Sequence, residues 1–214
     1  MHKPAPTSLE VKLEQELELL EGLLRRIRLT WLLRHFRARP VWAAFVCANG
    51  FVAIAILSLV AMLSRSPFVF PSLGPTAYVL FFTPRAPAAS PKHAICGHLI
   101  GLICGWFALW VTGLLHVPSV VAEGVNLPRV FAAALALGAT GGLMVLLNVG
   151  HPPAGATTLI VALGFITRIW SLLVIELAVA ALVLHAILVN RLSGIDYPLW
   201  HPKPHPAPLP RPGP

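Results

Sequence analysis

The sequence predicts an all-α integral membrane protein, and three observations carry that prediction. Hydrophobic residues make up 57% of the 214 residues and charged residues only 11%, against roughly 25% charged in a soluble domain. Between Val41 and Leu192 the only acids are Glu123 and Glu176, so water is a poor solvent for this stretch. The apolar residues also fall into four uninterrupted runs of about 21 residues, each long enough to cross ~30 Å of hydrocarbon, with two shorter Pro/Gly-broken runs between them.

The chain divides into three parts. Residues 1–39 read as a cytoplasmic amphipathic helix, Ser8 to Phe36, with Ser8 as N-cap. Leu13, Leu17, Leu20, Leu24, Ile27 and Trp31 recur at spacings of four and three, a short coiled-coil pattern. The acids Glu10 to Glu21 come first and the arginines last, which suits the helix dipole and anionic headgroups. Such a helix could lie on lipid, on the protein's own face or on a second subunit. Residues 40–192 form the membrane domain, with spans expected at 43–63, 94–115, 129–149 and 170–190 and short segments at 67–83 and 152–166. Residues 193–214 are Pro-rich and are expected to be an extended, disordered tail.

The net charge of +8 does not argue for nucleic acid. Arg25, Arg26, Arg28, Arg34, Arg37 and Arg39 lie in one run before the first span, as the positive-inside rule places cytoplasmic flanks. No cleavable leader is read in the polar N-terminus. Cys47, Cys96 and Cys104 all sit in apolar runs and are odd in number, so they imply neither a disulfide framework nor a metal site.

The two short segments match. Pro71-Ser72-Leu73-Gly74-Pro75-Thr76-Ala77 aligns with Pro152-Pro153-Ala154-Gly155-Ala156-Thr157-Thr158 at an offset of 81. The same offset lays the first span on the third and the second near the last. The chain therefore reads as two repeats of long helix, short Pro/Gly half-helix, long helix. If the short segments cross, the repeats are inverted (3+3), with both termini cytoplasmic.

Paired, interrupted segments at corresponding positions point to a transport site. Irregular backbone inside a bilayer must be satisfied by protein or by a cavity. A helix starting there aims its positive end at that cavity, which favours anions. The candidate substrate-binding residues are Ser72, Gly74, Thr76, Asn148, His151, Pro152, Pro153, Gly155, Thr157 and Thr158. His151 could bind an anion, carry its proton or cap the preceding helix. His98 and Glu176 are ionisable residues inside spans, read as a proton relay or a buried polar pair. Asn49 and His185 read as helix–helix contacts, and Arg168 as an interface anchor or a mouth charge. Gly97, Gly101 and Gly105 give one span a face for close packing, and glycine faces together with the Leu spacing suggest a homodimer.

His151-Pro152-Pro153 followed by Ala154-Gly155-Ala156 resembles the signature of the HPP family of integral membrane proteins. PSLGPTAYVLFFTP resembles that family's earlier Gly-containing motif, from which Pro75 departs, and Ser90-Pro91-Lys92 with Gly97-His98 resembles its Pro-basic and Gly-His motif. The resemblance spans about Pro40 to Asn190. Plant chloroplast members are nitrite transporters, so it implies a transporter or channel for a small inorganic anion, with nitrite as the named substrate. Alternatives are a carrier of a small neutral or protonated solute, or a scaffold or sensor that recruits a partner through residues 1–36. No enzymatic constellation, cofactor or metal site is read, and the expected location is a bacterial inner membrane.

Overall fold

The computed structural model describes residues 28–203, so most of the expected N-terminal helix and residues 204–214 lie outside the described part. Eight α-helices form the described chain: α1 (Leu29–His35), α2 (Ala38–Ser64), α3 (Leu73–Phe82), α4 (Pro91–Val111), α5 (Val120–Glu123), α6 (Leu127–Leu146), α7 (Pro153–Ala162) and α8 (Ile169–Leu192). A 3₁₀ turn, Pro87–Ala89, precedes α4. Among these, α2, α4, α6 and α8 are long and apolar enough to cross a membrane, and α3 and α7 are the short apolar helices between them.

Helix starts follow local chemistry. Ser90 caps α4 by accepting from the His93 amide, and Asn126 caps α6 by accepting from the Arg129 amide at 3.0 Å. Pro91, Pro128 and Pro153 occupy first-turn positions, where a missing N–H costs nothing. These prolines open helices, so α4 and α6 begin two to three residues before the expected 94 and 129. Pro40 acts similarly. It cannot extend α1 through residue 36, yet it fits the first turn of α2, so that span begins at Ala38 rather than residue 43. The short helices are shorter than expected. Residues 67–72 are not helical, and Gly164, with φ +82°, ends the turn after α7.

Chain direction follows from contacts. The Thr30 amide donates to the Ser193 carbonyl, and the Lys92 amide to the Trp200 carbonyl. The starts of α2 and α4, the end of α3 and the end of α8 thus share one face, here the terminal face. α7 runs parallel to α4: Gly97 faces His151, Gly101 faces Ala154 and Thr158, and Gly105 faces Val161. α6 runs antiparallel to α7, with Arg129 at Ala162 and Thr140 at Thr158. Hence α3 runs toward the terminal face and α7 away from it.

The glycines of α4 are where α7 lies. A Cβ on Gly101 would stand 2.7 Å from Thr158 Oγ1 and 2.9 Å from the Ala154 carbonyl. One on Gly105 would stand 2.9 Å from the Thr158 carbonyl. This glycine face is consumed within the chain and is not left for a second copy. Gly138, Gly141 and Gly142 of α6 instead point outward, with no atom near an added Cβ.

The expected disordered tail needs correction over its first part. Ile195 and Tyr197 are buried in the main core, and the Tyr197 hydroxyl donates to the Ala89 carbonyl. Burial pushes its phenol up, so it stays a donor across ordinary pH. Lys203 pairs with Asp196 and holds that carboxyl below its usual range. Gly194 (φ +84°) makes the turn. A side chain there would meet Thr30 Oγ1 at 2.6 Å. Prolines remove donors, but two apolar anchors suffice to dock this segment. Tyr197→Phe should lower stability by about 1 kcal/mol, read as a fall in the melting temperature of the detergent-solubilised protein.

Candidate functional site

Five of the polar side chains buried in the apolar bundle gather where α3, α4 and α7 meet. Ser72 and Thr76 come from the start of α3, His98 from the second turn of α4, and His151 and Thr157 from the start of α7. All five have no exposed surface. Ser72 Oγ lies 2.6 Å from Thr157 Oγ1, and Thr157 Oγ1 lies 2.7 Å from His98 Nδ1. His98 Nε2 lies 2.8 Å from Thr76 Oγ1, which donates to the Ser72 carbonyl at 2.9 Å. His151 stands beside this ring, its centroid 5.1 Å from that of His98. Its Nδ1 is 2.8 Å from the Ala88 carbonyl and its Nε2 is 3.4 Å from Thr76 Oγ1.

Donor accounting assigns the protons. Thr76 gives its only hydrogen to the Ser72 carbonyl, so His98 Nε2 must donate to Thr76. A neutral His98 then accepts at Nδ1 from Thr157, and Thr157 accepts from Ser72. The ring closes with each bond pointing the same way. The Ala88 carbonyl can only accept, so His151 Nδ1 carries a hydrogen and Nε2 is an acceptor. The donor within its reach is the Thr76 hydroxyl, 3.4 Å away. The Ser72 carbonyl also receives the Thr76 amide at 3.3 Å. The Thr76 hydroxyl can therefore turn to His151 without stranding that carbonyl.

The sequence candidates are distributed as follows. Ser72, Thr76, His98, His151 and Thr157 form the cluster. Thr158 lies one step outside it, bonded to Thr140 Oγ1 at 3.0 Å and to the Ala154 carbonyl. Pro153 is buried and starts α7, and Gly155 packs near Leu137. Three candidates lie elsewhere. Gly74 and Pro152 are exposed and outward-facing. Asn148 is exposed with φ +52°; it ends α6 in the left-handed region that Asn tolerates, so its amide does not reach the cluster.

The expected His98–Glu176 pair is not formed. His98 turns toward α3 and α7. The α4 face toward α8 carries Leu99, Leu102, Ile103 and Trp106, and Glu176 lies in the groove they line. Both of its carboxyl oxygens lack a partner among the described residues. Asn49 bonds back to the Phe45 carbonyl of its own helix. His185 packs edge-on to Phe81, with its Nε2 unpartnered among the described residues. Arg168 is exposed.

Arg129 was not among the sequence candidates. It is 2% exposed and donates to the Pro118 carbonyl at 2.7 Å and the Val117 and Ala162 carbonyls at 3.3 Å. It ties the loop before α5 to the end of α7, where a helix's negative end favours a cation. Its place at the first residue of an expected span gave no signal that set it apart. Thr140, in mid-span, and Asn190, which donates to the Leu80 carbonyl at 3.1 Å, were legible only as isolated polar residues in apolar helices.

Apolar helices of spanning length around a buried polar core define an integral membrane protein. Residues 36–198 match the family model described as HPP, transmembrane region. The chain belongs to the HPP transmembrane family. A transmembrane protein of Dictyostelium discoideum is 29% identical over 119 residues, 54% of this chain. The aligned stretch covers 38% of that relative's length. No solved structure matches the chain.

Proposed function

We propose that the protein moves a small weak-acid anion together with its proton across the membrane, through the cluster of Ser72, Thr76, His98, His151 and Thr157. The observation that carries this reading is the fully buried hydroxyl–imidazole ring with a second imidazole, His151, beside it. His98 Nε2 and His151 Nε2 both lie against the one Thr76 hydroxyl, an arrangement suited to moving a proton between them. Once protonated, His151 becomes a cation at the start of α7, where the positive helix end also favours an anion. The resemblance to plant members makes nitrite the first substrate to test.

The two interrupted helices that supply the cluster run in opposite directions, which supports an inverted internal repeat. Transporters built that way bind at the repeat interface. We place both termini on the cytoplasmic side of a bacterial inner membrane, because Arg28, Arg34, Arg37, Arg39 and Arg85 lie toward the terminal face. A dimer, if formed, would use the outward glycines of α6. The absence of any fixed charge from the cluster favours one second reading, passage of the neutral acid alone.

In proteoliposomes, His151→Ala and Thr157→Val should each cut nitrite flux at least about ten-fold, since each strands buried partners. Asn148→Ala, outside the cluster, should leave flux unchanged. Full flux in both cluster variants of a folded protein would overturn the site. Uptake that carries no current and tracks the protonated fraction would decide for the neutral acid.

A further inference from the structure

A groove of about 740 Å³ opens between α1, α2 and α3, lined by Leu33, Trp42, Val46, Cys47, Tyr78 and Phe82, with Arg39 at its rim. We propose that it is a binding site for an anionic phospholipid of the leaflet at the terminal face. The body of the groove is apolar and aromatic, and it lies within the first three turns of a spanning helix. Hydrocarbon chains fit such a surface.

The rim supplies the headgroup's counter-charge. Arg39 borders the groove, and Arg34 and Arg37 lie exposed on the adjoining turn. No salt bridge to any of them exists among the described residues, where the one ion pair is Lys203–Asp196. Of the described acids, Glu123 lies at the opposite face, Glu176 is in the α4–α8 groove, and Asp196 is paired with Lys203. Trp42 lies in the second turn of the spanning helix, near the end where amphipathic rings favour the headgroup region. Basic residues beside a membrane surface each favour anionic lipid by about five-fold.

The test uses a variant that keeps Trp42 and replaces the other five tryptophans with phenylalanine. Its fluorescence is followed in bilayers of brominated phosphatidylglycerol or brominated phosphatidylcholine diluted into unbrominated lipid. Phosphatidylglycerol should quench Trp42 at several-fold lower mole fraction. Replacing Arg37 and Arg39 with Gln should remove the difference without moving the melting temperature. Equal quenching by the two lipids would overturn the proposal. So would an absence of quenching by either, because the groove would then be filled by protein, either this chain's own N-terminal segment or a second copy.

Discussion

Arg129→Ala is expected to destabilise the protein by about 3–5 kcal/mol, the largest effect of any single substitution considered. The guanidinium is buried and makes three bonds to carbonyls of Val117, Pro118 and Ala162. Removing it leaves these acceptors without a donor, at about 1–3 kcal/mol each where water cannot enter, and opens a cavity against Gly164. A Cβ on Gly164 would stand 2.9 Å from Arg129 Nη1, and the glycine's φ of +82° disfavours any side chain. Arg129→Lys should recover only part of the loss, because a single ammonium cannot reproduce a planar fork. Arg168→Ala, at an exposed site on the same face, should change the melting temperature little. Equal melting curves for the Arg129 and Arg168 variants would refute the clamp.

Gly101→Leu should be nearly as damaging. The new Cβ would lie 2.9 Å from the Ala154 carbonyl and 2.7 Å from Thr158 Oγ1. Neither can retreat easily. The carbonyl is backbone, and Thr158 is held by Thr140 and Ala154. The helices would have to part, at a cost of about 1–3 kcal/mol or more. Parting α4 from α7 would also pull His98 from Thr157, so flux should fall with stability. Gly74→Ala is the matched control: Gly74 is exposed and has nothing within 4 Å of an added Cβ. It should be tolerated, or gain slightly from helix propensity.

The membrane class and the four long helices were legible because hydropathy depends only on residue type. The Pro/Gly stretches marked where helices are interrupted, and the α4 glycines marked a close approach. What the sequence withheld was direction in space. His98 lies in the half of α4 nearer the terminal face and Glu176 in the opposite half of the antiparallel α8, and Leu99 and Trp106 take the α4 face toward α8, so the two side chains do not meet. Asn148 adjoins His151 in sequence yet ends a helix facing outward. Arg129 looked like any flanking arginine, since nothing in α6 alone reveals that the loop before α5 folds over it. The Pro-rich tail was misjudged because composition averages over Ile195 and Tyr197, the two residues that dock it.

The central claim is that the ring of Ser72, Thr157, His98 and Thr76, with His151, handles a small acid anion and its proton. It is tested most directly by stopped-flow flux of nitrite, nitrate, formate and chloride into proteoliposomes at two pH values, for the unaltered protein and Thr157→Val. The account predicts protein-dependent flux of the weak-acid anions nitrite and formate, faster at the lower pH and lost in the variant. Nitrate and chloride, conjugate bases of strong acids that take up no proton at either pH, should lag. No protein-dependent flux of any of the four, or flux unaffected by Thr157→Val, would contradict it.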